Sequence, residues 1–142
     1  MSIRTYSRQS FEVTLVPGSS NQFVLVIDLL DEDGEVTGPL DGTEYELFFA
    51  QATAVPSRDV PRPTPLLQFA VTHLPGYVPD GEVSAHDGAF LFQMDPTESM
   101  KLQDNWIRHG IVDMFGIKAD GTRDYLATGN FTTHMVATRE FV

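Results

Sequence analysis

Ile111-Val-Asp-Met-Phe-Gly-Ile117, then Lys118-Ala-Asp-Gly-Thr122, then Tyr125-Leu-Ala-Thr-Gly-Asn-Phe-Thr-Thr-His-Met-Val136: these three pieces of sequence decide the fold class. The first and third are rich in β-branched and aromatic residues, which are enriched in strands. The Asp-Gly step between them suits a tight turn, because glycine accepts a positive φ and aspartate can bond nearby backbone amides. The sequence therefore predicts a β-hairpin from Ile111 to Val136.

Strand signals recur through the rest of the chain. Each is either an alternation of apolar and polar residues or a nearly continuous apolar run, and they lie at residues 11–15, 22–30, 44–50, 66–71 and 89–94. About seven or eight strands predict an all-β fold, a two-sheet antiparallel Ig-like β-sandwich. We expect residues 10–142 to form this single domain and residues 1–9 to be a flexible N-terminal arm.

One short helix is predicted near residues 96–103. Asp95 is a capping carboxylate, Pro96 suits the first helical position, and Glu98 stands three residues after the cap. We expect Trp106, which follows this helix, to be buried at the start of the next strand, with a partly exposed anchor as the alternative.

We make a specific prediction for each of three residues in the closing hairpin. Asp113 lies between apolar neighbours, so we expect a partly buried carboxylate with a structural hydrogen bond. Gly129 indicates a bulge or a bend within its strand. Tyr125 is expected to be largely buried.

Two long loops are predicted at residues 53–65 and 72–88, where prolines and glycines prevent a regular ladder. Proline pre-orders an extended segment and lowers the entropy cost of docking. The candidate partner-contact residues are Leu74, Tyr77, Val78, Val83, Pro61 and Pro63. The alternative is that Leu74 and Tyr77 fold back over one end of the sandwich.

Charge limits the partners of this chain. Nine Lys and Arg stand against twenty Asp and Glu, which gives a net charge of -11. Such a surface would repel a phosphate backbone or an anionic membrane, so we expect neither nucleic acid nor membrane as a partner. The absence of cysteine excludes disulfides and thiolate sites and fits synthesis in a reducing cytoplasm.

No pattern points to catalysis, a cofactor or a metal. The sequence contains no nucleophile elbow, phosphate loop or dinucleotide fingerprint, so we expect no enzyme. His73, His86, His109 and His134 are widely spaced, and we expect the loop histidines His73 and His86 to be solvated. The carboxylates of the Asp31-Glu-Asp-Gly34 stretch suggest a calcium site. However, an EF-hand loop with Gly34 at its sixth position would have leucines at its first and last positions, where carboxylates are needed. A solvated turn is the preferred interpretation.

The order of motifs resembles a known family. It comprises the apolar strand Phe23–Leu30, the Asp31-Glu-Asp-Gly34 turn, the Leu40-Asp-Gly42 element and Tyr45-Glu-Leu-Phe-Phe49. Later come Phe90-Leu-Phe-Gln-Met-Asp-Pro-Thr-Glu-Ser-Met100, Ile111-Val-Asp-Met-Phe115, the Asp-Gly turn and Leu126-Ala-Thr-Gly-Asn-Phe-Thr-Thr133. This series is similar to the N-terminal β-sandwich domain of phage baseplate upper proteins and related small phage virion proteins. Val112 departs from the pattern, since an aromatic residue usually precedes the aspartate there.

The resemblance implies a non-enzymatic structural protein of a bacteriophage virion, synthesised in the host cytoplasm. It would dock on other virion proteins through loops and sheet edges, as a capsid decoration or a tail, baseplate or fibre-attachment component. Several copies would assemble as a homo-oligomer or on a lattice, and the acidic surface would complement a basic docking face. The alternative is a carbohydrate-binding β-sandwich module, for which Tyr77, Trp106 and Tyr125 would have to be exposed and roughly coplanar.

Overall fold

The computed structural model describes residues 2–7, 9–55 and 65–134, and these contain nine β-strands and one α-helix. The strands are β1 (Ser2–Tyr6), β2 (Ser10–Leu15), β3 (Asn21–Leu30), β4 (Val36–Pro39), β5 (Leu47–Ala54), β6 (Pro65–His73), β7 (Ala89–Met94), β8 (His109–Ile117) and β9 (Arg123–Thr133). The helix α1 spans Pro96–Asp104, and a 3-10 turn spans Gly42–Glu44. The all-β class is confirmed, with more strands than the seven or eight predicted.

The strands form one curled sheet in the order β1-β3-β7-β6-β5-β8-β9-β2, and β4 adds to β3. Neighbours are antiparallel except for the pairs β1–β3 and β2–β9, which are parallel. The strands at the two ends of this order, β1 and β2, follow each other in the chain. The sheet therefore nearly closes on itself like a barrel.

The predicted N-terminal arm is wrong for residues 2–6, which form β1. This strand pairs with β3 from Ser2 opposite Val24 to Tyr6 opposite Asp28. The Ser7 amide then donates to the Asp28 carbonyl at 2.9 Å. The edge of β3 presents backbone groups that need partners, and a neighbouring strand supplies them. No local sequence pattern reports that need.

The core fills the inside of the curled sheet. Alternate residues of β2, Phe11, Val13 and Leu15, point inward and are buried, while the residues between them are exposed. Phe23 and Phe92 stack with ring centroids 4.8 Å apart at the centre of the core. The period-2 prediction for β2 is confirmed.

Gly129 does not mark a bulge, contrary to the prediction. A β-carbon there would lie 2.6 Å from three ring atoms of Phe11, so the missing side chain makes room for that ring. The bulge of β9 lies at Leu126, because Met114 pairs with Ala127 whereas Phe115 pairs with Tyr125.

The helix α1 begins as predicted. Asp95 accepts a hydrogen bond from the Glu98 amide at 2.8 Å, and Pro96 is the first helical residue. Leu102 anchors the helix on the core and is fully buried. Within the described residues, no helix has the length and apolar character needed to cross a membrane.

The strand directions define two ends of the molecule. The turn after β3, the segment between β4 and β5, the loop at residues 74–88 and the β8–β9 turn share one end. We call it the acidic end, because its turns carry Asp31, Glu32, Asp33, Glu35, Asp41, Glu44, Glu46, Asp80, Glu82, Asp87 and Asp120. The helix α1 and the α1–β8 connection lie at the opposite end, which we call the helix end.

Candidate docking surface

An aromatic row crosses the outer surface of β5, β8 and β9. Phe49 pairs with Phe115, and Phe115 pairs with Tyr125, so the three rings lie side by side on adjacent strands. Leu47 and Arg123 lie at the acidic end of the same surface. We call these five residues the aromatic face.

The rings of the aromatic face are in close contact. The Phe49 and Phe115 centroids are 5.1 Å apart with nearly parallel planes, and Tyr125 meets Phe115 edge-on at 5.1 Å. The Arg123 guanidinium lies 4.8 Å from the Phe49 centroid and 4.6 Å from the Phe115 centroid. The ring quadrupoles attract this cation, so Arg123 makes cation–π contacts with both phenylalanine rings.

The bulge at Leu126 places Tyr125 on the outer surface. Counting back in twos from the inward Phe131 reaches Ala127 and then Tyr125, which would put Tyr125 inside. The extra residue reverses the alternation, so Ala127 stays buried while Tyr125 is 55% exposed. The expectation that Tyr125 is largely buried is wrong for this reason.

Asp113 fixes the phenol of Tyr125. The Tyr125 hydroxyl donates to the Asp113 carboxylate, and the Thr128 hydroxyl donates to the same oxygen at 3.1 Å. Partial burial and then this bond to Asp113 raise the pKa of Tyr125. Asp113 is half-buried, and the predicted structural hydrogen bond is confirmed.

The aromatic face is partly open to solvent, with Phe49 and Phe115 half-buried. Leu47 is 62% exposed, and Ile111, which lies outward on β8, is also exposed. Asp124, between Arg123 and Tyr125, lies on the other side of the sheet, where it accepts from the Tyr45 hydroxyl at 2.9 Å and pairs with Lys118 at 3.4 Å. Burial and then the Asp124 bond raise the pKa of Tyr45. The aromatic face itself combines apolar rings with two positioned polar groups, the Arg123 guanidinium and the Tyr125–Asp113 pair, as protein interfaces do.

The predicted loop contacts divide into two groups. Leu74 and Tyr77 are half-buried, and the Tyr77 carbonyl accepts from the His86 amide at 2.8 Å. Val78 is exposed and Val83 is fully exposed, so these two are accessible to a partner. Pro61 and Pro63 lie outside the described residues.

His86 is not solvated, contrary to the expectation. It is buried, and its Nε2 lies 2.7 Å from an Asp28 carboxylate oxygen. Its Nδ1 accepts from the Gly88 amide at 3.0 Å, which assigns the proton of the neutral ring to Nε2 as the donor to Asp28. Asp28 also accepts from Arg4 at 2.5 Å. This network fastens the loop at residues 74–88 over the outside of β3.

His73 is also held by the fold. Its Nε2 lies 2.6 Å from the Asp87 carbonyl oxygen, and its ring contacts Phe90 with centroids 5.1 Å apart. A β-carbon on Gly42 would lie 2.3 Å from the same nitrogen, so glycine is required there for space. The expectation of a solvated His73 is wrong, because the following loop returns along the sheet.

Trp106 is exposed, not buried as expected. Its side chain is 74% exposed and its φ is +53°. The next residue, Ile107, takes the buried position and is 6% exposed. The hydrogen bonds that end α1 place Ile107, and not Trp106, in the core.

In the Asp31–Glu35 turn, the Asp31 carboxylate accepts hydrogen bonds from backbone amides of the turn itself. One Asp31 oxygen accepts from the amides of Asp33 and Glu35, each at 2.9 Å, and Gly34 has a φ of +82°. The turn interpretation is confirmed. Over the part of the chain that the structure describes, no three His, Asp or Glu residues converge as metal ligands would.

Comparisons with known proteins add no relative. No model of a protein family matches this chain, and no curated protein matches its sequence.

Proposed function

We propose that this chain is a non-enzymatic structural protein of a phage virion that docks on other virion proteins in multiple copies. The observation that carries the proposal is the aromatic face, in which the exposed Leu47 and Tyr125 flank two half-buried phenylalanine rings covered by the Arg123 guanidinium. Tyrosine, phenylalanine and arginine are enriched in protein interfaces. The order of motifs similar to phage baseplate upper proteins supports the virion as the place of that interface.

The proposal includes a two-sheet, Ig-like sandwich. Residues 70–73 of β6 pair with β7, while residues 65–69 pair with β5, so β6 passes from one half of the curled sheet to the other. One half would hold β1, β3, β4 and β7, and the other β5, β8, β9 and β2. On one side the two sheets would be joined by β6, which pairs with both, and on the other side by the connection between β1 and β2.

Charge supports a basic partner. The acidic end adjoins Leu47 and Tyr125, and within the described residues few cations offset it. A docking surface with lysines or arginines around an apolar protrusion would complement both features. Val78 and Val83 on the neighbouring loop would widen the contact at that end.

The docking test uses virus particles that lack this protein. We expect the wild-type chain to bind them and the double variant Leu47→Ser, Tyr125→Ser to bind at least about tenfold more weakly, since it loses two exposed anchors. Val36→Ser is the matched control, because Val36 is an exposed apolar residue of β4 outside the aromatic face. Absence of the chain from purified wild-type particles by mass spectrometry would overturn the assignment to the virion.

The second candidate function is a carbohydrate-binding module, which the exposure of Trp106 favours. However, Trp106 precedes β8 at the helix end, whereas Tyr125 pairs with Phe115 near the acidic end. From His109 to Phe115 the strand rises about 20 Å. The two rings therefore cannot form one sugar platform, and saccharide-induced shifts confined to Trp106 in an NMR titration would be required to support this function.

A further inference from the structure

Trp106 occupies a position at which helices usually have glycine. The Trp106 amide donates to the Gln103 carbonyl at 3.1 Å, and the Ile107 amide donates to the Leu102 carbonyl at 2.8 Å. These two bonds form the Schellman motif that ends α1, with Trp106 in the left-handed position after the cap residue Asn105. Ile107 and Leu102 make the buried apolar contact that accompanies this motif.

The left-handed conformation strains any residue with a β-carbon. Every other residue with a positive φ in the described part of the chain is a glycine: Gly18, Gly34, Gly38, Gly81 and Gly121. Trp106 is the exception, and its φ of +53° places it in the left-handed helical region. Glycine at this position would make the folded state more stable, because it lacks the β-carbon that causes the strain.

Burial does not offset the strain. Most of the indole is in solvent, and the next residue supplies the core contact that ends the helix. A large apolar side chain that costs stability and buries little area in the isolated chain points to a role in a complex.

We propose that Trp106 is the anchor of a second docking site, at the helix end, and inserts into an apolar pocket of a neighbouring virion protein. This rests on the proposed function, since it assumes an assembly with neighbours. The pocket would enclose the indole ring and offer an acceptor to its N–H group. With the aromatic face directed at one neighbour and Trp106 at another, the chain would bridge two subunits.

A protein pocket fits these observations better than a saccharide. At the helix end, no second exposed aromatic side chain stands beside Trp106 among the described residues. A single exposed indole at a hydrogen-bonded helix terminus has the form of an interface hot spot, in which one tryptophan fills a pocket.

The test separates side-chain loss from loss of fold. Trp106→Gly removes both the indole and the strain, whereas Trp106→Ala removes the indole and keeps the strain. We expect the Gly variant to melt about 3 °C above the Ala variant and no lower than wild type. Equal melting temperatures of the two variants would overturn the strain argument.

Binding to particles that lack the protein supplies the second readout. We expect both Trp106 variants to bind at least about 30-fold more weakly, as for a hot-spot residue, and Trp106→Phe to retain part of the affinity. Wild-type binding by Trp106→Gly would overturn the anchor and leave the proposed function standing. Failure of the wild-type chain to bind would overturn the proposed function itself.

Fluorescence reports on the same contact directly, because the chain has a single tryptophan. With 5-hydroxytryptophan at position 106, emission can be excited selectively in the presence of the particle's own tryptophans. We expect acrylamide to quench this emission in the free protein and much less in the bound protein. Equal quenching in both states would contradict insertion into a pocket.

Discussion

Single residues in this protein have roles that depend on what lies across the sheet from them. Gly129 is an example, because its hydrogen atoms face the ring of Phe11 on the neighbouring β2. Phe11 and Gly129 are opposite each other in the parallel pair. The large and the small residue therefore share one space in the core.

Gly129→Ala should destabilise the fold by about 1–3 kcal/mol, because the added methyl group overlaps the Phe11 ring. Chemical denaturation of the wild type and the variant measures the difference. Gly76→Ala is the control: a β-carbon there meets no atom within 4 Å, and it should change stability by less than about 0.5 kcal/mol. A Gly129→Ala variant as stable as the control would show that the ring moves aside freely.

At the scale of elements, Asp28 joins three parts of the chain. It lies on β3, accepts from Arg4 of β1 and from His86 of the loop at residues 74–88, and is itself buried. Arg4 also pairs with Glu82 on that loop. The first strand and the long loop are therefore fastened to the same carboxylate.

Asp28→Ala should cost about 1–3 kcal/mol, since it leaves the buried Nε2–H of His86 without an acceptor, while Arg4 keeps only Glu82. Hydrogen exchange should then show faster exchange in β1 and in residues 74–88 than in β8 and β9. Glu82→Gln removes only the exposed partner of Arg4 and should cost less than about 1 kcal/mol. Uniform loss of protection across all strands would mean that Asp28 supports the whole fold and not these two elements.

At the scale of the molecule, charge is distributed unevenly. The net charge is -11, and the turns of the acidic end hold eleven of the twenty acidic residues. The helix end has fewer acidic residues among those described and carries Lys101 and Arg108. Because its charge is asymmetric, the molecule would be oriented by the electric field of a charged partner.

Attachment through the acidic end should weaken as salt is raised, because screening reduces attraction between opposite charges. Titration of particles that lack the protein, at several ionic strengths, measures this dependence. Asp33→Asn combined with Asp120→Asn should lower the salt dependence without changing the fold, since both residues are exposed in turns. Salt-independent binding of the wild-type chain would refute the electrostatic part of the proposal.

Local sequence was sufficient for most of the strands, although not for β1 or β4, and for the turns and the start of the helix. The alternation in β2, the cap at Asp95 and the turn at Gly34 depend on residues close in the chain, and each was predicted correctly. The N-terminal strand, the burial of His86 and the exposure of Tyr125 depend on contacts between distant segments. Those features were missed. Leu47 and Phe49 were also not recognised as surface residues, because the pattern of apolar residues along a strand does not show which of its two faces is covered.

The sequence by itself determined the all-β class, the position of the helix and the acidic character of the surface, because periodicity, capping and charge are properties of short segments. The tertiary structure decided which side chains are accessible. One extra residue in β9 turned Tyr125 outward to complete the aromatic face, and the hydrogen bonds that end α1 left Trp106 in solvent while Ile107 entered the core. Register and helix termination are set by packing across the molecule, and the candidate docking residues follow from them.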